Sequence, residues 1–213
     1  RLPDGLKEIG SDAFSGCRSL RQITVPVGVK CIETAVFQSC RALQEVHLPE
    51  GLEQIGMFAF EDCDTLTRIV LPASLKRLCR GAFENCTSLL EAQLPDGLEE
   101  LQDDAFEYCR SLQKVTIPAQ VRQIERAAFY YCQSLQEVQL PEELNEIGED
   151  AFAHCWALKR IVIPAGVEKV GEHAFWECYS LQNIAVLSDD TEIAEDAFED
   201  CPGTVKRGTG SLF

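Results

Sequence analysis

The sequence predicts an α/β solenoid in which similar coils stack on one another, each built from a short strand, a turn, an extended return and a short helix. Three columns of residues, recurring every 23 positions along the 213-residue chain, carry this prediction. A fixed period of this length indicates a repeat array, in which each coil packs on its neighbours. The columns run from Pro3 to Pro164, from Phe14 to Phe198 and from Cys17 to Cys201.

The strand and the turn of one coil are predicted from residues 43–51. Val46 and Leu48 alternate with His47, as in a short strand that buries one face. Pro49 ends the strand, because proline donates no hydrogen bond to a ladder. We expect a type I turn with Pro49 in its second position and Gly51 in its fourth.

The helix is predicted from the apolar residues that follow. Ala59, Phe60, Cys63 and Leu66 have spacings that suit one buried face of a short helix. Helices pack about 8–10 Å apart, whereas strands pair about 4.8 Å apart. The stack should therefore curve, with the sheet on its concave side and the helices on its convex side. Several coils carry an aspartate placed to cap the helix: Asp12, Asp104, Asp150 and Asp196.

The repeat LPxGLxxIGxxAFxxCxxLxxI resembles the bacterial surface antigen A type (BspA-like) of leucine-rich repeat. The resemblance covers residues 1–207 and includes a leucine column from Leu20 to Leu181. It implies a right-handed leucine-rich-repeat array of nine 23-residue coils, with a parallel sheet on the concave side and short helices on the convex side. It also implies a binding role, often on bacterial surfaces and sometimes in attachment to host proteins.

Residues 1–207 are expected to form a single solenoid domain, and residues 208–213 a flexible tail. The sequence opens in mid-pattern, and its last coil lacks the column proline. We therefore expect the domain to be a fragment of a longer chain.

The formal net charge of −16 at pH 7 narrows the choice of partners. So acidic a surface repels the phosphates of nucleic acid and anionic membrane surfaces. No run of about 18 apolar residues occurs, so we expect no membrane insertion. The sequence has no Ser-His-Asp order, phosphate-binding glycine loop or histidine pair at metal spacing. We therefore expect no enzyme, no catalytic residue, no metal and no cofactor.

The phenylalanine and cysteine columns are interpreted as core. Each cysteine follows a phenylalanine by one turn of the predicted helix, on the same buried face. Helices about 8–10 Å apart would hold neighbouring Cα atoms beyond about 7 Å, the limit for a disulfide. We therefore expect buried free thiols rather than disulfides or metal ligands.

The outward side chains of the concave sheet form the first candidate surface. One column alternates in charge from coil to coil, and opposite charges on adjacent strands contribute about 0.2–1 kcal/mol per pair. The column is interpreted either as a ladder that holds the strand register or as a binding face. The candidate partner-binding residues of the concave face are Glu45, His47, Arg68, Glu91, Lys114, Glu137 and Arg160.

The tyrosines and tryptophans form the second candidate surface. All four tyrosines and both tryptophans lie beside the column cysteine in coils five to eight, where other coils have Ser, Gly, Glu, Asp or Asn. Stacking should bring them together on the convex side, and such residues are favoured at binding hot spots. Packing across neighbouring coils and self-association are the alternatives. The residues of this aromatic patch are Tyr108, Tyr130, Tyr131, His154, Trp156, Trp176 and Tyr179.

These features predict a non-enzymatic protein-interaction module, with a recognition or adhesion role, in a bacterial surface or secreted protein. The expected partner is a protein, such as a host or matrix protein, or a glycan. The alternatives are a carbohydrate-binding module and an intracellular or oligomerising scaffold, with homo-oligomers formed through the aromatic patch. A cell-surface or secreted location follows from the family resemblance, whereas unpaired thiols favour the cytoplasmic alternative.

Overall fold

The described part of the chain, residues 2–208 of a computed structural model, is a parallel-strand solenoid of about eight turns. Each turn contributes a strand of three or four residues to a first ladder and a strand of two residues to a second ladder. A turn-rich segment then leads to the next coil. The solenoid predicted from the 23-residue columns is therefore confirmed.

The first ladder consists of the strands that the alternating pattern predicts. Its middle residues, such as Val46, are buried while their neighbours are exposed. Paired residues lie 23 positions apart, as Lys114 and Glu137 do, except between the last two strands, where Asn183 pairs with Thr204. The strands are β1 Gln22–Thr24, β3 Glu45–His47, β5 Arg68–Val70, β7 Glu91–Gln93, β9 Lys114–Thr116, β11 Glu137–Gln139, β13 Arg160–Ile163, β15 Asn183–Val186 and β17 Thr204–Arg207.

The second ladder was not predicted as a sheet, because its strands are too short to show an alternating pattern. Each places one apolar residue, such as Ile55, in the core and one polar residue outside. Its parallel pairs keep the same 23-residue offset. The strands are β2 Cys31–Ile32, β4 Gln54–Ile55, β6 Arg77–Leu78, β8 Glu100–Leu101, β10 Gln123–Ile124, β12 Glu146–Ile147, β14 Lys169–Val170 and β16 Glu192–Ile193.

The turn between the two ladders begins at the proline rather than before it. The amide of Leu52 donates to the carbonyl of Pro49 at 3.2 Å, which makes Pro49 the first residue of the turn. The expected turn was therefore wrong by one position. Gly51 takes the third position with a φ of 95°, a left-handed conformation that glycine adopts without steric strain.

The short convex helices were predicted wrongly, because residues 2–208 contain no helix. In the coil of Phe37, the amides of Ala35, Phe37 and Ser39 donate to carbonyls of the next coil at 2.7–2.8 Å. Between them, the amides of Gln38 and Cys40 donate three residues back within their own coil. The segment thus alternates turn bonds with bonds between coils, whereas a helix would satisfy its amides internally.

Left-handed backbone at two places in the turn-rich segment explains why no helix forms. The two places lie four residues apart, and a left-handed residue interrupts an α-helix. The expected helix caps were therefore also wrong, since Asp12, Asp104 and Asp150 themselves have positive φ. The fourth, Asp196, accepts a hydrogen bond from the His173 amide of the preceding coil at 3.3 Å.

The phenylalanine column is the centre of the core, as predicted. Successive rings stack with centroids 5.0–5.5 Å apart and planes within 18° of parallel. The coils are therefore spaced like strands on this side too, and the packing mismatch expected to bend the stack is absent. The fully buried rings are Phe37, Phe60, Phe83, Phe106, Phe129, Phe152 and Phe175.

The cysteine column consists of free thiols, as predicted, but not for the reason given by helix spacing. From Cys40 to Cys178 these side chains are buried. From Cys40 to Cys201 each thiol donates to a phenylalanine carbonyl of the preceding coil at 3.1–3.4 Å. Each thiol is thus a second donor to a carbonyl that already accepts the cysteine amide of its own coil, as Phe37 accepts from Cys40. Of the expected tail, residues 209–213 lie outside the described residues.

Candidate functional site

The aromatic patch defined above is one connected cluster of rings on the turn-rich side of the solenoid. Tyr131 is its centre, with ring centroids 4.1 Å from His154, 5.1 Å from Tyr108 and 6.0 Å from Trp156. The ring of Trp176 contacts that of His154, with centroids 4.8 Å apart. Tyr130 contacts both Tyr131 and His154, and Tyr179 contacts Trp156 at 6.4 Å. The structure therefore brings together all seven residues that the sequence analysis grouped.

The cluster forms because three places around the column cysteine repeat at the coil spacing. Tyr108, Tyr131 and His154 occupy one place in three successive coils, so hydrogen bonds between the coils hold their rings in contact. Tyr130 and Trp176 share the place before it, and Trp156 and Tyr179 share the place after the column cysteine.

Three residues of the patch adopt left-handed backbone, which tyrosine in particular disfavours. Tyr108, Tyr131 and His154 have φ values of 56°, 58° and 60°. For a residue with a Cβ atom, left-handed backbone costs about 1–2 kcal/mol, and Gly16 and Asn85 at the same place adopt it with less strain. The bulky rings at this place are therefore not explained by the backbone conformation.

The patch has a buried base and an exposed rim. His154 is buried, and the three tyrosines beside it are half-buried. Trp156 and Tyr179 are 38% and 53% exposed, which are large fractions for aromatic side chains. The base contributes to packing between coils, whereas the rim leaves aromatic surface available for a partner.

Polar groups are built into the patch. The Glu177 carboxylate lies 2.9 Å from His154 Nδ1, although the angle there does not make a hydrogen bond. A hydrogen bond to Glu177 raises the pKa of Tyr179 to about 12, so this phenol stays protonated and neutral. At the other end, the Arg110 guanidinium lies over the Tyr108 ring, 5.6 Å from its centroid.

His173 extends the patch and was not identified from the sequence. Its ring lies 5.4 Å from that of Trp176, and its Nε2 lies 3.3 Å from the Asp196 carboxylate. A signal was present, because His173 follows Asp150 in a repeat column that carries aspartate in several other coils.

A partly buried group of charges adjoins the patch, and it too was missed. The Asp104 carboxylate is buried and bridges Arg80 and Arg126 of the neighbouring coils, at 3.0 and 3.2 Å. Burial and, to a smaller extent, the nearby carboxylates together raise the pKa of Glu84 and of Glu107 to about 7. The group is difficult to recognise in the sequence, because Arg80 and Arg126 lie in other coils, 24 and 22 residues from Asp104.

The candidate residues of the predicted concave face lie on the first ladder. Glu45, Arg68, Glu91, Lys114, Glu137 and Arg160 occupy equivalent places on successive strands, and His47 lies two residues after Glu45. Lys114 and Glu137 form an ion pair at 3.2 Å, and His47 lies 3.1 Å from Glu45 of its own strand.

Depressions that are partly open to solvent lie over the first ladder. One is lined by Arg68, Glu91 and Lys114, and another by Glu137 and Arg160. Within residues 2–208, no group of three or more His, Cys, Asp or Glu side chains is arranged to hold a metal ion. No helix that could span a membrane occurs among the described residues.

Comparison with known proteins agrees with this architecture. The BspA type leucine-rich repeat region, in six copies, matches residues 1–113 and 99–206. The chain belongs to the BspA-type leucine-rich repeat family. The repeats of this BspA-type protein thus fall in the segment that the sequence pattern identified.

Solved structures of similar proteins come from several bacteria. A leucine-rich repeat protein from Bacteroides ovatus shares 27% identity with a TM-score of 0.72, covering 94% of this chain and 58% of that one. The T. pallidum leucine-rich repeat protein shares 32% identity with a TM-score of 0.68, covering 74% and 76%. A leucine rich cell surface protein from Faecalibacterium prausnitzii shares 25% identity with a TM-score of 0.58, covering 98% and 65%.

The chain of this BspA-type protein spans 58% of the Bacteroides ovatus chain and 65% of the Faecalibacterium prausnitzii chain. No protein of the curated sequence collection matches it.

Proposed function

We propose that this BspA-type array is a non-enzymatic recognition module that binds a protein partner through the aromatic patch. The observation that carries the proposal is the convergence of every tyrosine and tryptophan of the chain on one side of the solenoid. Exposed aromatic rings backed by a rigid scaffold are the usual composition of binding hot spots. Membership of a leucine-rich repeat family is consistent with protein binding.

Packing alone does not account for the patch. Its base, around Tyr131 and His154, does pack neighbouring coils together. Yet the exposed rings of Trp156 and Tyr179 leave apolar surface in water, and left-handed backbone at Tyr131 is strained. A role in recognition explains both features together.

We also place the module on a bacterial cell surface or among secreted proteins, in a recognition or adhesion role. The support is the similar protein of Faecalibacterium prausnitzii, which is described as a cell surface protein. The absence of catalysis is part of the proposal. Its support is that the depressions over the first ladder are partly open to solvent, since catalysis requires convergent groups in a cleft.

The test is a binding screen against extracellular-matrix proteins and glycans with three forms of the chain. These are the wild type, the double variant Tyr131→Ser with Trp156→Ser, and the first-ladder control Glu91→Gln with Lys114→Gln. We expect a protein ligand that the control retains and the patch variant loses. A ligand lost only by the control would move the site to the first ladder.

Light scattering on the same three proteins distinguishes partner binding from self-association. A monomeric wild type with a patch-dependent ligand supports the proposal. A wild-type oligomer that the patch variant dissociates, without any ligand in the screen, would assign the patch to an oligomerising scaffold instead. Binding restricted to glycans would assign it to carbohydrate recognition.

A further inference from the structure

The chemistry of the patch rim points to a particular kind of partner. Trp156 and Tyr179 are the exposed rings, with centroids 6.4 Å apart and planes tilted by 32°. Among residues 2–208, cations lie over the rings of Phe58 and Tyr108 only, so neither rim ring is covered by one. The faces of both rings carry the negative side of an aromatic quadrupole, which attracts cations.

At its other end, the patch is in contact with a cationic side chain of the same chain. Arg110 lies over Tyr108, and Arg110 occupies the same place of the repeat as Trp156 and Tyr179, two and three coils further along. One column thus changes from a guanidinium to aromatic rings along the stack. Arg110 covers the ring of Tyr108, whereas the rings of Trp156 and Tyr179 remain exposed.

Negative charge surrounds the open rings. The Glu177 carboxylate lies between His154 and Tyr179 and keeps part of its surface in solvent. Glu199 and Asp200 follow in the next coil and are exposed. The whole chain has a formal net charge of −16, so long-range attraction also favours a basic partner.

We propose that the Trp156–Tyr179 rim, with the Glu177 carboxylate, is a subsite for an arginine or lysine side chain of a basic segment of the partner protein. This inference rests on the proposed function and specifies its partner. Arginine suits the subsite best, because its planar guanidinium stacks on aromatic rings and pairs with a carboxylate at the same time.

The experiment uses the two tryptophans as the reporter, since Trp156 and Trp176 are the only ones in the chain and both lie in the patch. The probe is a short Gly/Ser peptide with spaced arginines, and its control replaces each arginine by citrulline, which has the same shape without the charge. Titration at about 0.5 M salt suppresses long-range attraction, because the screening length is then only a few ångströms.

We expect saturable quenching by the arginine peptide and an affinity about tenfold lower for the citrulline peptide, in the range that a cation–aromatic contact provides. Trp156→Leu should lower the affinity for the arginine peptide by a similar factor while Trp176 still reports. This variant is expected to fold, because the same place is polar in other coils, as at Asp64 and Gln133. Glu177→Gln should also weaken binding, and Glu50→Gln, on the turn between the ladders, should not.

Equal affinities for the two peptides, no quenching by either, or unchanged arginine binding in Trp156→Leu would each overturn the inference. Quenching by soluble glycans alone would overturn it in favour of sugar recognition. These failures are distinct from failure of the proposed function. A matrix protein that binds the wild type but not the Tyr131→Ser, Trp156→Ser variant would leave the recognition site in place even if the arginine peptide does not bind.

Discussion

Left-handed backbone recurs at two places in each turn-rich segment, and the residue types found there differ in how well they tolerate it. Gly81 and Asn85 fill the two places in one coil, and both residue types tolerate this conformation. Tyr108 and Tyr131 occupy the second place in later coils, although tyrosine does not favour positive φ. Tyrosine at the second place occurs in coils of the aromatic patch, whereas the first place holds a bulky ring, Phe58, in an earlier coil.

Replacing Gly81 by alanine tests the left-handed conformation directly. Gly81 has a φ of 59°, and an added Cβ would lie 2.4 Å from the Phe58 ring. We expect Gly81→Ala to lower the free energy of unfolding by about 1–2 kcal/mol or more, measured by urea denaturation. Gly10→Ala is the control, because nothing lies within 4 Å of its added Cβ.

The sign of the Gly81→Ala effect distinguishes the turn-rich segment from the helix that the sequence suggested. In a helix, glycine to alanine would stabilise the protein by about 0.5–1 kcal/mol. A stabilised Gly81→Ala variant would therefore contradict the structure.

The acidic side chains near Asp104 predict an unusual dependence of stability on pH. Glu84 and Glu107 have folded-state pKa values of about 7, raised by burial and by the Asp104 carboxylate against the opposing effect of Arg80. The folded state therefore binds protons more tightly than the unfolded state between about pH 4.5 and 7. By linkage, stability should rise as the pH falls through this window.

The measurement is the free energy of unfolding in urea at several pH values from about 5 to 8. Glu84→Gln and Glu107→Gln should each stabilise the protein at pH 8 and flatten the dependence on pH, because glutamine does not ionise. A wild type that loses stability steadily from pH 8 to pH 5, with unchanged slopes in both variants, would refute the assignment.

Thiol reactivity should follow position in the cysteine column. Cys17 is exposed, whereas burial raises the pKa of Cys63, Cys86 and Cys109 well above the usual value for a thiol. We expect a thiol reagent to modify Cys17 in the native protein and the three buried thiols only after unfolding. Mass spectrometry after timed labelling checks this, and equal rates for Cys17 and Cys86 would show that the column is not core.

At the scale of the elements, the sequence predicted what depends on one coil and missed what depends on two. The first ladder was predicted because its residues, such as Glu45 to His47, alternate within a single strand. The helices were predicted wrongly because Ala59, Phe60 and Cys63 have a spacing that a chain of turns satisfies equally well. The recurring Gly, Asn and Asp at the left-handed places were the available signal, but aspartate there was interpreted as a helix cap.

The candidate site shows the same division. Its members were predicted from three repeat places, and stacking of the coils placed them together. The Arg110 contact with Tyr108 and the bridge from Asp104 to Arg80 depend on side-chain directions between coils, which the sequence pattern does not specify.

The phenylalanine column provides the test at this scale. Phe106 is fully buried between the rings of Phe83 and Phe129, whereas Phe14 is half-buried and stacks on Phe37 alone. We expect Phe106→Ala to lower the free energy of unfolding by about 3–5 kcal/mol. Phe14→Ala should have a clearly smaller effect in the same urea titration, and equal losses would contradict a continuous stack.

At the scale of the whole molecule, a rigid stack of coils carries the proposed partner-binding surface. Three sets of hydrogen bonds between coils, from the two ladders and the turn-rich segments, fix the positions of the rings before any partner arrives. Such preorganisation lowers the entropy lost on binding. The acidic surface favours encounter with basic partners and repels nucleic acid.

The most direct test of the central claim is hydrogen–deuterium exchange of the chain with and without the protein ligand from the binding screen. The account predicts slower exchange on binding in the turn-rich segments 127–132, 150–156 and 173–179, with the strands of the first ladder unchanged. Protection confined to the first ladder, or a chain that binds no protein in the screen, would contradict it.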